Sequence, residues 1–199
     1  MLTYNVPRKE NPIKASLVQR ILFLVGAVLI AGGCGSGADP AAEKMLLQNV
    51  GKTSVTVFPA FLRGHGSYDE NAAAKLAEFL NTAELAKATA SDRRVPITGP
   101  WRMNQARMLG ESVKEFAAYV RANPISTRYA LLPEYLGGKT EAVGIHAYVV
   151  DADGTVAFQV LLNSHWEEFS KAKPKTADDC TAVLIDVLRE RLKRPAARQ

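Results

Sequence analysis

VGIHAYVVDADGTVAFQVLLN, residues 143–163, is the stretch that predicts most about the fold. Its two arms, 143–150 and 155–163, are rich in β-branched and aromatic residues, and the segment D-A-D-G between them is typical of a hairpin turn. Because successive side chains of a strand point to opposite faces, one face of this hairpin is strongly apolar. We expect that face to belong to the core; it carries Ile145, Ala147, Val149, Val156, Phe158, Val160 and Leu162.

The opposite face of the hairpin mixes polar and apolar side chains, namely His146, Tyr148, Ala157, Gln159 and Leu161. Such a pattern is typical of a sheet face that is partly wet or covered by something else. Exposed polar and aromatic side chains on a half-open face are candidates for contact with a partner. We therefore take His146 and Tyr148 as candidate contact residues.

The rest of the 199-residue chain alternates predicted strands and helices around this hairpin. The order indicates an α/β fold: a single domain whose mixed sheet has about four to five strands, with a C-terminal β-meander and helices packed mainly on one face. The predicted strands are 54–59, 95–98 (a short edge strand), 129–136 and the two hairpin arms, and the predicted helices are 43–50, 72–85, 102–122 and 178–193.

Residues 20–36, RILFLVGAVLIAGGCGS, describe a secretory signal peptide. Cations precede an apolar run, Ile21 to Ile30, which ends in small residues directly before Cys34. That run is well short of the roughly 20 apolar residues that a helix needs to cross a bilayer. An ordinary signal peptide with an accidental cysteine, or an uncleaved anchor, are the alternatives that remain open.

A cysteine directly after the small residues resembles the lipobox of bacterial lipoproteins, with Ala31 where the family prefers Leu. The resemblance implies that Cys34 is lipidated and that the signal is removed before it. The residue after the cysteine is Gly35 rather than the Asp that retains many such proteins at the inner membrane. The resemblance therefore implies an anchor on the periplasmic face of the outer membrane.

The domain boundaries follow from this leader. We predict a signal peptide at 1–33, the lipidated cysteine and a flexible tether at 34–51, an α/β domain at 52–193 and a basic tail at 194–199. The formal charge of the whole chain is +5, but the leader carries four cations and one carboxylate, so the rest of the chain is close to neutral. A near-balanced charge gives no electrostatic case for binding nucleic acid.

The string Val55-Thr-Val-Phe-Pro59, a glycine-containing loop, an Ala-rich helix, Tyr129-Ala-Leu-Leu and the long hairpin together resemble a group of envelope proteins. The group includes the amino-terminal domain of the Tol-system translocation protein, the curli secretion lipoprotein and the outer-membrane lipoproteins that activate penicillin-binding proteins. The resemblance covers about residues 52–193. It implies a domain that binds another envelope protein, as an interaction or assembly module, and that catalyses no reaction.

The loop FLRGHGSYDE, residues 61–70, is the other candidate contact region. Loops after the carboxyl end of a strand are where α/β sheets place ligands and partners. Phe61, Arg63, His65 and Tyr68 are its candidate contact residues. The alternative is that Phe61 and Leu62 simply pack under the first helix of the domain.

No pattern in the sequence indicates a catalytic residue, a metal site or a cofactor. The three histidines are widely separated, and the glycines form no phosphate-binding motif. Cys180 lies on the apolar stripe of the last helix, which favours a structural role, and Trp101 and Trp166 are expected to fill the core. An envelope hydrolase that uses His65 or His165 with a carboxylate, or a carrier of a small apolar ligand in an internal cavity, are alternative functions.

Overall fold

A mixed sheet of seven strands organises the chain. The structure is a computed structural model, and it describes residues 37–137 and 141–192. Its elements are, in chain order, α1 (Pro40–Gln48), β1 (Ser54–Val57), β2 (Ala60–Leu62), β3 (Ser67–Asp69), α2 (Glu70–Thr82), β4 (Lys87–Ala90), α3 (Gln105–Ala122), β5 (Tyr129–Gly137), β6 (Ala142–Asp151), β7 (Val156–Asn163), α4 (Glu167–Ala172) and α5 (Ala177–Leu192).

Strand β5 lies at the centre of the sheet. On one side it pairs in parallel with β1, where Val55 is opposite Tyr129, and then with β2, where Phe61 is opposite Glu134. On its other side it pairs antiparallel with β6 along nearly its whole length. Strand β4 lies outside β1, β3 outside β2, and β7 outside β6. The α/β class and the mixed sheet are therefore as the sequence predicts.

The hairpin of β6 and β7 forms where the sequence places it. Tyr148 is opposite Gln159, and the turn contains Gly154 at a φ of 75°. A Cβ atom on Gly154 would lie 2.7 Å from the carbonyl oxygen of Ala117 in α3, so both the backbone conformation and the space require glycine. The turn thus fixes the hairpin against the C-terminal part of α3.

The helices pack mainly on one face of the sheet, as predicted, and a single helix covers the other face. Helices α1, α2 and α5 pack on the face that carries Val149 and the other apolar hairpin residues. Helix α3 packs on the opposite face, where Phe116 and Val120 meet Tyr148 and Val150. The physical reason is that α3 has its own long apolar stripe, which must be buried against a second apolar surface. The sheet is wider than expected, at seven strands.

Two local predictions differ from the structure. Residues 95–98, expected to form an edge strand, have no strand assignment, although Val95 and Ile97 are buried against α3. The edge strand is instead β4, Lys87–Ala90, which pairs in parallel with β1. The loop predicted at 61–70 contains the short strands β2 and β3, because β2 continues alongside β5 after Pro59.

Part of the predicted tether is folded. Helix α1 lies within residues 34–51, and its N-terminus is capped by the Asp39 carboxylate, which accepts from the N–H groups of Ala41 at 2.8 Å and Ala42 at 3.0 Å. The Asp39 N–H donates to the carbonyl of Val156 in β7 at 2.8 Å, and Leu46 is buried. The structured domain therefore extends at least to Asp39.

The leader, Cys34 and residues 194–199 lie outside the described residues. Within residues 37–137 and 141–192, no helix combines the length and apolar character needed to span a membrane.

Candidate interaction site and buried polar network

A network of charged and polar side chains lies between the sheet and α3. Arg63, directly after β2, donates from Nε to Oε1 of Glu134 in β5, and its side chain is only 4% exposed. Its Nη2 donates to Oγ of Ser112 in α3, at 2.7 Å, and its Nη1 donates to the carbonyl oxygen of Gly99. One guanidinium therefore connects two strands, a helix and the segment that precedes that helix.

Two side chains of β6 complete the network. The Tyr148 hydroxyl donates to Oε2 of Glu134, and Nδ1 of His146 lies 3.2 Å from that hydroxyl and 3.4 Å from Oε2 of Glu134. All three residues are fully buried. Nε2 of His146 has no hydrogen-bond partner among the described residues.

Burial and mutual contact shift the acid–base properties of this network. Desolvation is the largest influence on Glu134 and would raise its pKa, but the His146 and Tyr148 hydrogen bonds and the Arg63 charge together lower the pKa below the usual range. Desolvation, followed by the Glu134 charge, raises the pKa of Tyr148 well above its ordinary value. At neutral pH the network therefore contains a carboxylate and a neutral phenol.

The structure separates the candidate contact residues into buried and accessible ones. Of the two alternatives for the mixed face, partly wet or covered, the structure has the covered one, because α3 packs on it. His146 and Tyr148 are completely buried, so the prediction that they contact a partner is wrong. Arg63 is internal as well, and Phe61 is 7% exposed and packs in the same core cluster as α3. Of the six candidate contact residues, those that could reach a partner are His65, which is exposed, and in part Tyr68.

Residues 91–104, which we call the cover segment, lie along α3 and have no regular secondary structure. Val95 and Ile97 are buried against α3. Two side chains from the sheet region donate to its backbone: Tyr68 Oη to the Val95 carbonyl at 2.7 Å, and Arg63 to the Gly99 carbonyl. The segment in turn donates to α3. Thr98 donates twice to Glu115, at 2.8 and 2.9 Å, and Arg102 donates to Glu111 at 2.7 Å. These contacts give an irregular segment a defined path.

The cover segment presents two large apolar side chains to solvent. Trp101 is 47% exposed and Met103 is 94% exposed. We call them the exposed pair. The prediction that Trp101 fills the core is wrong, as is that for Trp166, which is 41% exposed. No local pattern indicates these exposed positions, because the path of the cover segment depends on contacts with distant residues such as Arg63.

The residues considered for catalysis or carriage are placed as follows. His65 and His165 are exposed, and among the described residues no group of three or more His, Cys, Asp or Glu side chains could hold a metal ion. An apolar cavity lies between the sheet and the helices, but its volume is about 30 Å³, close to one water molecule. A cavity of that size does not accommodate a carried ligand. The side chains that line the cavity are almost all apolar: Leu46, Val50, Thr53, Val55, Leu80, Leu85, Ala86, Leu131, Val149, Leu188 and Leu192.

Cys180 is buried, at 1% exposure, and has no disulfide partner in the described residues. Burial, assisted by the neighbouring Asp179 carboxylate, raises the pKa of its thiol to about 12. The thiol is therefore protonated at neutral pH, which agrees with the structural role expected from the sequence.

We expect Cys180 in the folded chain to react slowly with iodoacetamide at pH 8, because alkylation requires an accessible thiolate. Mass spectrometry of the peptide that contains Cys180 would follow the reaction, with the chain unfolded in urea as the fast reference. Equal rates in the two states would contradict a buried thiol.

No protein-family model and no curated protein matches the sequence. Solved structures that are similar to part of this chain include the following two. A variant of the PelC dodecamer from Paraburkholderia phytofirmans is 15% identical, with a TM-score of 0.33, over 68% of this chain and 85% of that chain. The LpoB C-terminal domain from Salmonella enterica is 16% identical, with a TM-score of 0.33, over 63% of this chain and 94% of that chain. At this level of similarity neither structure assigns a role to any residue.

Proposed function

We propose that this chain is a lipid-anchored lipoprotein of the bacterial cell envelope, whose folded domain is a non-enzymatic module for protein interaction or assembly. The leader and Cys34 support the lipid anchor, and Gly35 after the cysteine supports the periplasmic face of the outer membrane. In this proposal the partners are the membrane, through the lipid on Cys34, and another envelope protein, through the surface of the domain.

The observation that carries the interaction role is the exposed pair on the cover segment. Isolated apolar side chains on a surface need no explanation, but Trp101 and Met103 are neighbours on a segment held by hydrogen bonds and an ion pair from Arg63, Thr98 and Arg102. A defined path reduces the entropy that these side chains lose on binding. Tryptophan is also enriched among the residues that contribute most to protein interfaces.

Replacement of Trp101 by alanine is expected to weaken partner capture by about 30-fold, the effect of losing an interface residue worth about 2 kcal/mol. The free energy of unfolding should change by less than about 0.5 kcal/mol, because the side chain is half exposed. Chemical crosslinking in intact cells identifies the partner, and titration of the purified partner then measures the affinity.

Trp166→Ala is the matched control, because Trp166 has a similar exposure of 41% and lies outside the cover segment. Its capture should equal that of the wild type. If Trp101→Ala captures the partner as well as the control does, the exposed pair is not the contact.

A further inference from the structure

The outer edge of β4 is an accessible edge of the sheet. Lys87, Thr89 and Ala90 are exposed, and Ala88 is partly so. The strand at the opposite side, β7, differs: Ala157, Phe158 and Val160 are at most 4% exposed, and the Asp39 N–H already occupies the carbonyl of Val156. A neighbouring chain could therefore reach β4 but not β7.

The hydrogen bonds of β4 show which of its backbone groups face outward. The N–H of Lys87 donates to the Thr53 carbonyl at 2.9 Å, and the N–H of Ser91 donates to the Val57 carbonyl at 2.8 Å. Because backbone groups alternate in direction along a strand, the N–H and C=O groups of Ala88 and Ala90 point away from β1.

The side chain of Asn81, in the last turn of α2, already pairs with one of these two residues. Its Nδ2 donates to the Ala88 carbonyl at 2.8 Å, and its Oδ1 accepts from the Ala88 N–H at 2.9 Å. The amide thus makes the two hydrogen bonds that one residue of an adjacent strand would make. The outward N–H and C=O of Ala90 have no such partner in the described part of the chain.

We propose that the edge of β4 around Ala90 takes up an extended, acidic segment of the partner protein as an added strand; this rests on the proposed interaction function and specifies the partner's chemistry. Strand addition uses backbone hydrogen bonds for affinity. The uncharged residues 88–91 follow Lys87 and precede Asp92 and Arg93, so the charges that border the edge sum to +1. Arg94, next along the chain, already pairs with Glu70 at 2.8 Å. An acidic residue at each end of the added segment would therefore meet one cation, Lys87 or Arg93, and Asp92 reduces the attraction at the second end.

The same charges disfavour a second copy of this chain as the occupant. In an antiparallel pair centred on Ala90 of both copies, Lys87 of each copy would lie opposite Arg93 of the other. Like charges directly opposite each other destabilise a strand pair. The experiment must still distinguish binding of a partner segment at β4 from pairing of β4 with a second copy of this chain.

The test uses the full-length chain in mild detergent and a fluorescent synthetic peptide of alternating valine and threonine with glutamates at both ends. Fluorescence anisotropy should show saturable binding that Ala90→Pro weakens about 10-fold, because proline removes the outward N–H while the bonds to β1 do not use it. Lys87→Glu should weaken binding by about 3-fold, whereas Lys171→Glu, on the exposed face of α4, should leave it unchanged.

Amide hydrogen exchange of the unaltered chain provides a second readout that does not depend on the folding of a variant. The peptide should slow exchange at Ala90 and leave Thr89, which faces β1, protected in both states. Absence of binding, equal binding by Ala90→Pro, slowed exchange elsewhere only, or dimerisation through β4 would each overturn the proposal. The proposed function is tested separately: it fails if Trp101→Ala captures the partner as well as the wild type does.

Discussion

Replacement of Glu134 by alanine is expected to lower the free energy of unfolding by about 3–5 kcal/mol, because it leaves the buried Arg63 guanidinium without its carboxylate. The same change removes the acceptor of the Tyr148 hydroxyl. For a domain of this size the loss corresponds to a fall in the melting temperature of roughly 10 °C. Urea unfolding followed by circular dichroism would measure it.

Two variants test whether the effect arises from the buried charge. Glu111→Ala removes a carboxylate that also pairs with two arginines, but on the surface, where solvent screens the interaction; its midpoint should move much less. The double variant Arg63→Met with Glu134→Leu should be more stable than Glu134→Ala alone, since no charge is left unpaired in the core. A single variant as stable as the wild type would show that the network does not support the fold.

The pH dependence of the free energy of unfolding should also show the contribution of the Glu134 carboxylate. Because the folded-state pKa of Glu134 is lowered, its contribution is present above the unfolded-state pKa of about 4.3 and is lost as the pH falls through the lower folded-state value. The stability of the wild type relative to that of the double variant should therefore fall on acidification below about pH 4. A relative stability that rises on acidification would contradict the lowered pKa of Glu134.

Replacement of Cys34 by serine is expected to abolish lipidation completely, because serine offers no sulfur for the thioether. Metabolic labelling with an alkyne fatty acid should give a labelled wild-type chain and an unlabelled Cys34→Ser chain that keeps its leader. Cys180→Ser, which changes the buried second cysteine, should label as the wild type does. Undiminished labelling of the Cys34→Ser chain would contradict the lipoprotein proposal.

Much of the fold could be predicted because its signals are local. The hairpin has a turn sequence between alternating arms, and α3 has a continuous 3.6-residue apolar pattern, so both appear where expected. The coverage of the second sheet face is not a local property. It depends on where α3 packs. From the sequence alone, a face that carries His146, Tyr148 and Gln159 has the same pattern as a face exposed to solvent.

The buried network could not be predicted for a similar reason, since Arg63 and Glu134 are 71 residues apart in the chain. One signal was available: Glu134 stands within the apolar stretch YALLPEYL, and a carboxylate in a buried strand needs a partner. The exposed position of Trp101 had no comparable signal. Its neighbours in sequence are compatible with both a core and a surface position.

The hydrogen bond from the Asp39 N–H to the Val156 carbonyl ties the chain to the sheet only a few residues after Cys34. Four residues separate Cys34 from Asp39, so the two are five residue steps apart, and a fully extended chain of five steps spans at most about 18 Å. If Cys34 carries the lipid, the tether between the lipid and the domain is short, and the domain lies next to the lipid headgroups. Binding would then take place near the membrane surface, at a height that the size of the domain sets and that no long tether extends.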